Sequence, residues 1–587
     1  MDAFQPTLDE LQHWTGVMGR AQQMILEYAA RQGAEPGGQQ LMPDLAKLFA
    51  PPPSLRFGLD TQALADAHAD FWKDSLTLWQ RFLNPTAAID SDAPAEPTDD
   101  RRFAASQWRE HPLFDLLRQS YQLVSGHMLR SVEAVAGLSD KQREQLRFAT
   151  RAFTEAMAPS NFAITNPQAL EKAIATRGES MLKGMENLLG DLSRGQLTQS
   201  SPDAFELGRN IAVTPGKVIH ETPLYQLIHY APATETVAKI PLVIFPPWIN
   251  RFYILDLNPK KSFVRWAVEQ GLSVFMVSWK SADESLAGVT LDDYVAAQID
   301  AIDVVRDQLG VESVHAIGYC VAGTTLAATL ALLAARGEVD KVATATFFTT
   351  QVDFSAAGDL SLFVDDTQLD LVAGLAGDKG YLDGRYMAAT FNLLRGRDLI
   401  WNYVVQNYLM GEDYPAFDLL HWNGDTTNLP AAWHQAYLRD FYRDNLLVRP
   451  GGIHVAGTPI DLHRITIPTY IQAGRDDHIA PPQSVWKITE HFGGETRFVL
   501  AGSGHIAGVV NPPSAGKYQY WTCPAPASSL EDFIAQAQET KGSWWPDWIS
   551  WIQAHDGETV PAQRARVPGK GKRKAIEDAP GRYVAQR

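Results

Sequence analysis

The sequence predicts an α/β protein, a mostly parallel sheet wrapped by helices, with one large insertion and a mainly helical region before it. Three observations lead there. From about residue 210, short β-branched and aromatic runs alternate with helix-length stretches, the rhythm of parallel strands joined by crossover helices. Between the runs at 343–350 and 468–474 lies an aromatic-rich interval far longer than an ordinary connection. Before 210, apolar residues recur at helical spacing with no strand-like alternation.

In chain order, residues 1–100 read as a variable helical segment broken by Pro, Gly and acid-rich joints: "QGAEPGGQQ" (32–40), "APPPS" (50–54) and "DSDAPAEPTDD" (90–100). Residues 101–208 form a helical N-terminal domain, in which Phe114, Leu117, Tyr121, Val124 and Met128 share one helix face. That face either packs on a neighbouring helix or meets a partner subunit or hydrophobic product. Residues 209–560 form the α/β domain. Its strand candidates are 225–230, 241–246, 272–279, 313–318, 343–350, 468–474 and 496–502; helices fill 261–270, 291–309, 321–336 and 483–492. Thr290, with Asp293 three residues on, starts the helix at 291. The insertion, about 355–462, follows the carboxyl end of a strand and reads as a cap over an active-site mouth. Residues 561–587 form a basic C-terminal tail; Arg564, Arg566, Lys570, Lys572, Arg573 and Lys574 read as solvated. Trp544, Trp548 and Trp551 share a helical face suited to core packing.

Composition narrows the function. With 587 residues the chain is too long for one core. A net charge of −17 argues against nucleic acid as a partner. Two cysteines, Cys320 and Cys523, exclude a disulfide framework and fit a reducing cytoplasm. The start, "MDAFQPTLDE", lacks the basic and apolar regions of a signal peptide. The uncharged stretch from Ala316 to Ala335 has the length of a membrane span, but Gly318, Gly323 and its threonines favour a buried strand–turn–helix.

The chemistry centres on "HAIGYCVAGTT" (315–325). A nucleophile elbow needs very small residues flanking the nucleophile so that strand and helix backbones can approach. Here Gly318 precedes Cys320 by two, while Ala322 and Gly323 follow. After the strand at 468–474 comes "RDDH" (475–478), and after that at 496–502 comes "SGHIAG" (503–508). Cys320, Asp477 and His505 thus occur in the nucleophile–acid–base order of α/β-hydrolase-type triads, each after a strand. A thiol nucleophile favours a thioester substrate, because attacking and leaving groups are then alike. A neighbouring His and the amino end of the helix at 321 both favour thiolate. The oxyanion donors expected are the N–H groups of Val321 and of Ile249, in "PPWINRFYILDL" (246–257). No His/Cys/Asp cluster has metal-ligand spacing, so no metal and no cofactor are expected.

Several motifs in one order carry a resemblance: "PPWINRFYILDLNPKKS", "VSWK", "GYCVAGTT", "DLIWNYVVQNYLMG", "WNGDTTNLP", "GTPIDL", "GRDDHIAP", "SGHIAGVVNPP" and "SWWPDW". From about residue 100 onward the chain resembles the polyhydroxyalkanoate synthases, class I most closely. The resemblance implies an acyltransferase that polymerises short (R)-3-hydroxyacyl-CoA thioesters and releases CoA, with CoA entering only as part of the substrate. It implies Cys320 as acylated nucleophile and His505 as its base. Asp477 then either deprotonates the 3-hydroxyl or only orients His505, and Asp256 and His478 lie in or near the site. It further implies a homodimer, without nucleic acid or membrane span, acting in the cytoplasm on a growing polyester granule. The family's elbow has glycine where this chain has Ala322, which bears on the oxyanion geometry. Two other readings share the fold: an esterase or depolymerase, and a non-catalytic granule-associated protein.

Overall fold

The structure is a computed structural model that describes residues 8–34, 58–59, 61–83 and 100–587. The expected joints at 35–40, 50–54 and 90–99 lie outside the described residues. The chain divides into two compact units. One holds the residues up to Ser201 together with Ala388–Pro415; the other holds Pro202–Met387 and Ala416–Arg587.

The first unit is helical, with long helices at Leu8–Ala34, Thr61–Leu83, Pro112–Glu133, Asp140–Ala156 and Glu179–Arg194. Their ends follow local chemistry. Ser139 caps one start by accepting from the Gln142 N–H, while Gln142 Oε1 accepts from the Ser139 N–H at 3.0 Å. Gly195, at φ 64°, closes the last in a left-handed turn. On Pro112–Glu133 the expected apolar face is only partly covered: Tyr121 donates to Thr154 O at 2.9 Å, whereas Val124 is 44% exposed.

The insertion expected over 355–462 as one cap is divided, since Ala388–Pro415 belongs to this helical unit. Close backbone packing explains the attachment. A Cβ on Gly184 would lie 1.8 Å from Tyr408 O, and Arg397 pairs with Asp100 at 2.6 Å. Such pairings are invisible in local sequence patterns.

The second unit is built on an eleven-stranded sheet. We number its strands β1 (Gly216–Glu221), β2 (Tyr225–Tyr230), β3 (Leu242–Phe245), β4 (Val274–Trp279), β5 (Val314–Tyr319), β6 (Val342–Phe348), β7 (Thr469–Gly474), β8 (Thr496–Ala501), β9 (Gln519–Thr522), β10 (Gln538–Lys541) and β11 (Glu577–Asp578). Their spatial order is β10-β9-β8-β7-β6-β5-β3-β4-β2-β1-β11. The six central strands, from β8 to β4, run parallel, and the outer pairs are antiparallel. Every strand expected from the sequence is present. β1, β9, β10 and β11 were not among those candidates; β10, "QETK", is exposed throughout and carries no hydrophobic alternation.

Each face of the sheet has its own core. One packs helices Leu291–Leu309 and Val321–Arg336 with Trp433, Tyr437 and Phe441 of the insertion. The other packs Phe263–Glu269 and Trp545–Ala554, where Trp544, Trp545 and Trp548 are fully buried around Phe263 and Phe348. Ala316–Ala335, the membrane-length stretch, is β5, the elbow and a buried helix. Among the described residues no helix is long and apolar enough to cross a membrane.

In the tail Arg564, Lys570, Lys572 and Lys574 are exposed, as the solvated reading expects, but Arg566 departs from it. Arg566 is 7% exposed and donates to Lys239 O, Ser273 Oγ and Ala238 O at 2.6, 3.1 and 3.2 Å. Downstream, β11 pairs with β1 at the sheet edge, and Tyr583 and Val584 are buried. Unpaired acceptors at the end of a sheet give a basic segment ordered partners.

Candidate functional site

Cys320 sits between β5 and the helix Val321–Arg336 at φ 53°, ψ −126°, a sparsely populated conformation for a residue with a side chain. Backbone bonds hold it there: its N–H donates to Phe348 O at 2.9 Å, and its carbonyl accepts from Gly323 N at 2.9 Å. A Cβ on Gly318 would lie 2.5 Å from Gly323 Cα, and one on Gly323 would lie 2.0 Å from Thr350 Oγ1. The close approach of strand and helix therefore occurs at 318 and 323. Ala322 is fully buried in the helix-side core, so its methyl is accommodated within the turn.

Parallel register brings the remaining groups to the same edge. Gly474, ending β7, lies opposite Ala501 of β8, so the loops bearing Asp477 and His505 emerge side by side. Asp477 Oδ2 is 2.7 Å from His505 Nδ1, and Asp477 Oδ1 accepts from the N–H groups of Ile479 and Ala480 at 2.8 and 2.9 Å. The Asp477 side chain is fully enclosed, and that of His505 is nearly so. Burial alone would lower the His505 pKa; the charges of Asp477 and Cys320, with hydrogen bonds to both, outweigh it and hold the imidazole well above its usual range. Tyr319 OH donates to His505 O at 3.2 Å and anchors the histidine loop from β5. The structure thus brings together the three residues that the sequence singled out.

Phe245, ending β3, is in register with Gly318 of β5, so the loop carrying Ile249 starts beside the elbow. Ile249 and Cys320 are both half-buried against the same core. Val321 is the first residue of its helix, where an N–H has no intrahelical acceptor. The Asp256 carboxyl accepts from Thr214 Oγ1 at 2.6 Å and Ser262 Oγ at 2.7 Å, tying the end of that loop to the segment before β1. Burial raises the Asp256 pKa to about 6 despite those bonds. His478 is half-buried beside Asp477, and its carbonyl leaves no room for a side chain at Gly358, at the start of the insertion.

The insertion contributes residues that local sequence patterns did not flag. Tyr437 is buried and Tyr442 half-buried, and the charge at Cys320 acts with burial to raise both phenols. Trp433, Tyr437 and Phe441 give the core that adjoins Cys320 an aromatic wall. Thr427, Asp425 and Trp422 bind the loop after β3. Thr427 Oγ1 accepts from Asn250 N at 2.8 Å and donates to Trp248 O at 3.1 Å; Tyr253 OH donates to Asp425 Oδ2 at 2.8 Å; Trp422 Nε1 donates to Arg251 O at 2.6 Å. These partners lie more than 170 residues apart in sequence, so nothing local announces them. Among the described residues no group of three or more His, Cys, Asp or Glu side chains is arranged to hold a metal ion.

Comparison with known proteins places the chain. A family model described as the N-terminus of poly-β-hydroxybutyrate polymerase (PhaC) matches residues 99–267, and a model of the α/β-hydrolase fold matches residues 240–512. The poly(3-hydroxyalkanoate) polymerase subunit PhaC of Rhizobium meliloti is 45% identical over 534 residues, 90% of this chain and 86% of the relative. The protein of the same name from Cupriavidus necator is 44% identical over 529 residues, covering 89% and 88%. The poly(3-hydroxyalkanoate) polymerase of Methylorubrum extorquens is 43% identical over 527 residues, covering 89% and 85%.

Proposed function

The chain belongs to the poly(3-hydroxyalkanoate) polymerases, and from that premise we propose that Cys320, Asp477 and His505 build polyester from short (R)-3-hydroxyacyl-CoA. The activity is acyl transfer that forms a polyester. The observation that carries the residue assignment is the strained Cys320 elbow facing a His505–Asp477 pair.

The thiolate of Cys320 attacks the thioester carbonyl. The oxyanion is met by the N–H groups of Val321 and Ile249, CoA leaves as thiolate and takes the His505 proton, and Cys320 keeps the acyl group. The 3-hydroxyl of another unit then attacks an acyl thioester. His505 accepts its proton, the C–S bond breaks, and a C–O ester bond lengthens the chain by one unit. Thioester to oxoester is downhill, so no nucleotide is consumed. With one carboxylate oxygen on His505 and the other on two backbone N–H groups, Asp477 is best suited to orienting His505 and stabilising imidazolium. The aromatic wall of Trp433, Tyr437 and Phe441 favours a hydroxyacyl acceptor over water. His478 borders the acyl path. The polymerase works as a homodimer at the surface of the polyester granule in the cytoplasm.

The test is direct. With 3-hydroxybutyryl-CoA, purified protein releases CoA and the solution turns turbid, whereas Cys320→Ala does neither. Polymer formation by Cys320→Ala at the parent rate overturns the assignment.

A further inference from the structure

A trans peptide is planar, so its carbonyl and its N–H point in opposite directions, and fixing one aims the other. The Ile249 N–H shares its peptide with the Trp248 carbonyl. That carbonyl accepts from Thr427 Oγ1 at 3.1 Å, and Thr427 Oγ1 in turn accepts from the N–H of the following peptide, at Asn250, at 2.8 Å. One buried hydroxyl, 3% exposed, therefore grips the two peptide planes on either side of Ile249. Just beyond those planes the chain takes an unusual conformation: Asn250 lies at φ 65°, in the left-handed region. Its side chain donates to Asn423 O at 3.3 Å, which holds the turn to the same segment of the insertion.

Thr427 is itself fixed. The N–H of the next residue, Asn428, donates to Ser281 Oγ at 3.0 Å, and its side chain donates to Ala282 O at 3.1 Å. A Cβ on Gly384 would lie 2.5 Å from Thr427 O, so the helix beginning there packs directly on the threonine backbone. On the other side, the buried Arg251 side chain donates to Gln586 O at 2.7 Å and Thr426 O at 3.3 Å, with Asp425 Oδ1 3.5 Å from its Nε. The loop is thus clamped from the insertion and from the C-terminal segment at once.

We propose that Thr427 is a positioning residue for acyl transfer: its hydroxyl sets the direction of the Ile249 N–H as the second oxyanion donor beside Cys320. The proposal rests on Cys320 being the acylated nucleophile. It gives the insertion a role in the chemical step separate from covering the site, since a residue far along the chain aims a backbone donor of the elbow's neighbour.

The test compares Thr427→Val, which keeps the shape but loses both bonds, with Thr427→Ser, which keeps the hydroxyl. Three readouts are taken: single-turnover acylation of Cys320 by 3-hydroxybutyryl-CoA, the KM for that substrate, and the rate of Cys320 alkylation by iodoacetamide. Alkylation displaces iodide at a saturated carbon and develops no oxyanion. A misaimed donor is expected to slow acylation of Thr427→Val on the order of 10- to 100-fold, below the ~10²–10³ of outright donor loss. KM and alkylation stay within about threefold of the parent, and Thr427→Ser acylates within about threefold of it. Parental acylation by Thr427→Val, an equal slowing of alkylation, or a Thr427→Ser as slow as Thr427→Val each overturns the proposal. If Thr427→Val loses its melting transition, Thr427→Ala, which cannot overpack the site, takes its place in the same assays. If the parent never carries acyl on Cys320, it is the assignment of the nucleophile that fails.

Discussion

Both carboxylate oxygens of Asp477 are engaged: Oδ2 lies 2.7 Å from His505 Nδ1, while Oδ1 accepts two backbone N–H bonds. One oxygen therefore serves the charged form of the neighbouring imidazole and the other the geometry that supports it. With Cys320 on its other side, His505 is held as imidazolium well above its ordinary titration range, against the pull of burial.

Replacing Asp477 with Asn removes the counter-charge and puts an N–H₂ where an acceptor is needed. The imidazole pKa falls, and the imidazolium that pairs with the thiolate is no longer held. CoA release is expected to drop on the order of 10³–10⁴-fold. NMR titration of His505 should show a lower midpoint than in the parent, and a parental midpoint would contradict the pairing.

The elbow makes a prediction about two adjacent small residues. A methyl at Gly323 would meet Thr350 Oγ1 at 2.0 Å, so Gly323→Ala must displace either the helix or Thr350, just beyond β6, and lose most activity. Ala322→Gly removes only a methyl that is already accommodated, at a helix-propensity cost of about 1 kcal/mol. Thermal melts and CoA-release assays on the two variants should rank Gly323→Ala far below Ala322→Gly.

Buried histidines set an acid limit on stability. Burial, and for His229 also the Arg566 guanidinium, lowers His229 to about 3; burial lowers His315 and His434 to about 4. The unfolded chain, titrating near 6.5, binds more protons than the folded one below that pH. The contribution of these groups is thus fully present above pH 6.5 and lost as pH falls towards 4. His229 stacks on Phe275 at 4.1 Å, and neither ring nitrogen has a hydrogen-bond partner among the described residues. His229→Phe is expected to flatten the acid limb of a urea-denaturation series between pH 7 and 4.5. An unchanged slope would assign the acid limit to other groups.

The parallel strands and the helices between them were legible because each is buried and carries its own period of hydrophobicity. Val314–Tyr319, Thr469–Gly474 and Leu291–Leu309 fall where the pattern puts them. The antiparallel margins were not, since Gln538–Lys541 and Glu577–Asp578 have no apolar face and become strands only because a neighbour offers its edge. The same holds for the tail, whose charges read as solvated until Arg566 finds three oxygens within reach.

For the site, the sequence alone singled out Cys320, Asp477 and His505 as candidates and put them in order, because each sits in a short motif just beyond a strand. Only the tertiary structure decided how those groups are held: Ala322 is tolerated because the tight contact is at Gly323, Asp256 braces its loop against Thr214 and Ser262, and Thr427 reaches the peptide of Ile249. The physical reason is range. Strand periodicity and elbow sterics act between residues near in sequence, whereas a hydrogen bond between Trp248 and Thr427 exists only once the insertion has folded over the sheet's carboxyl edge.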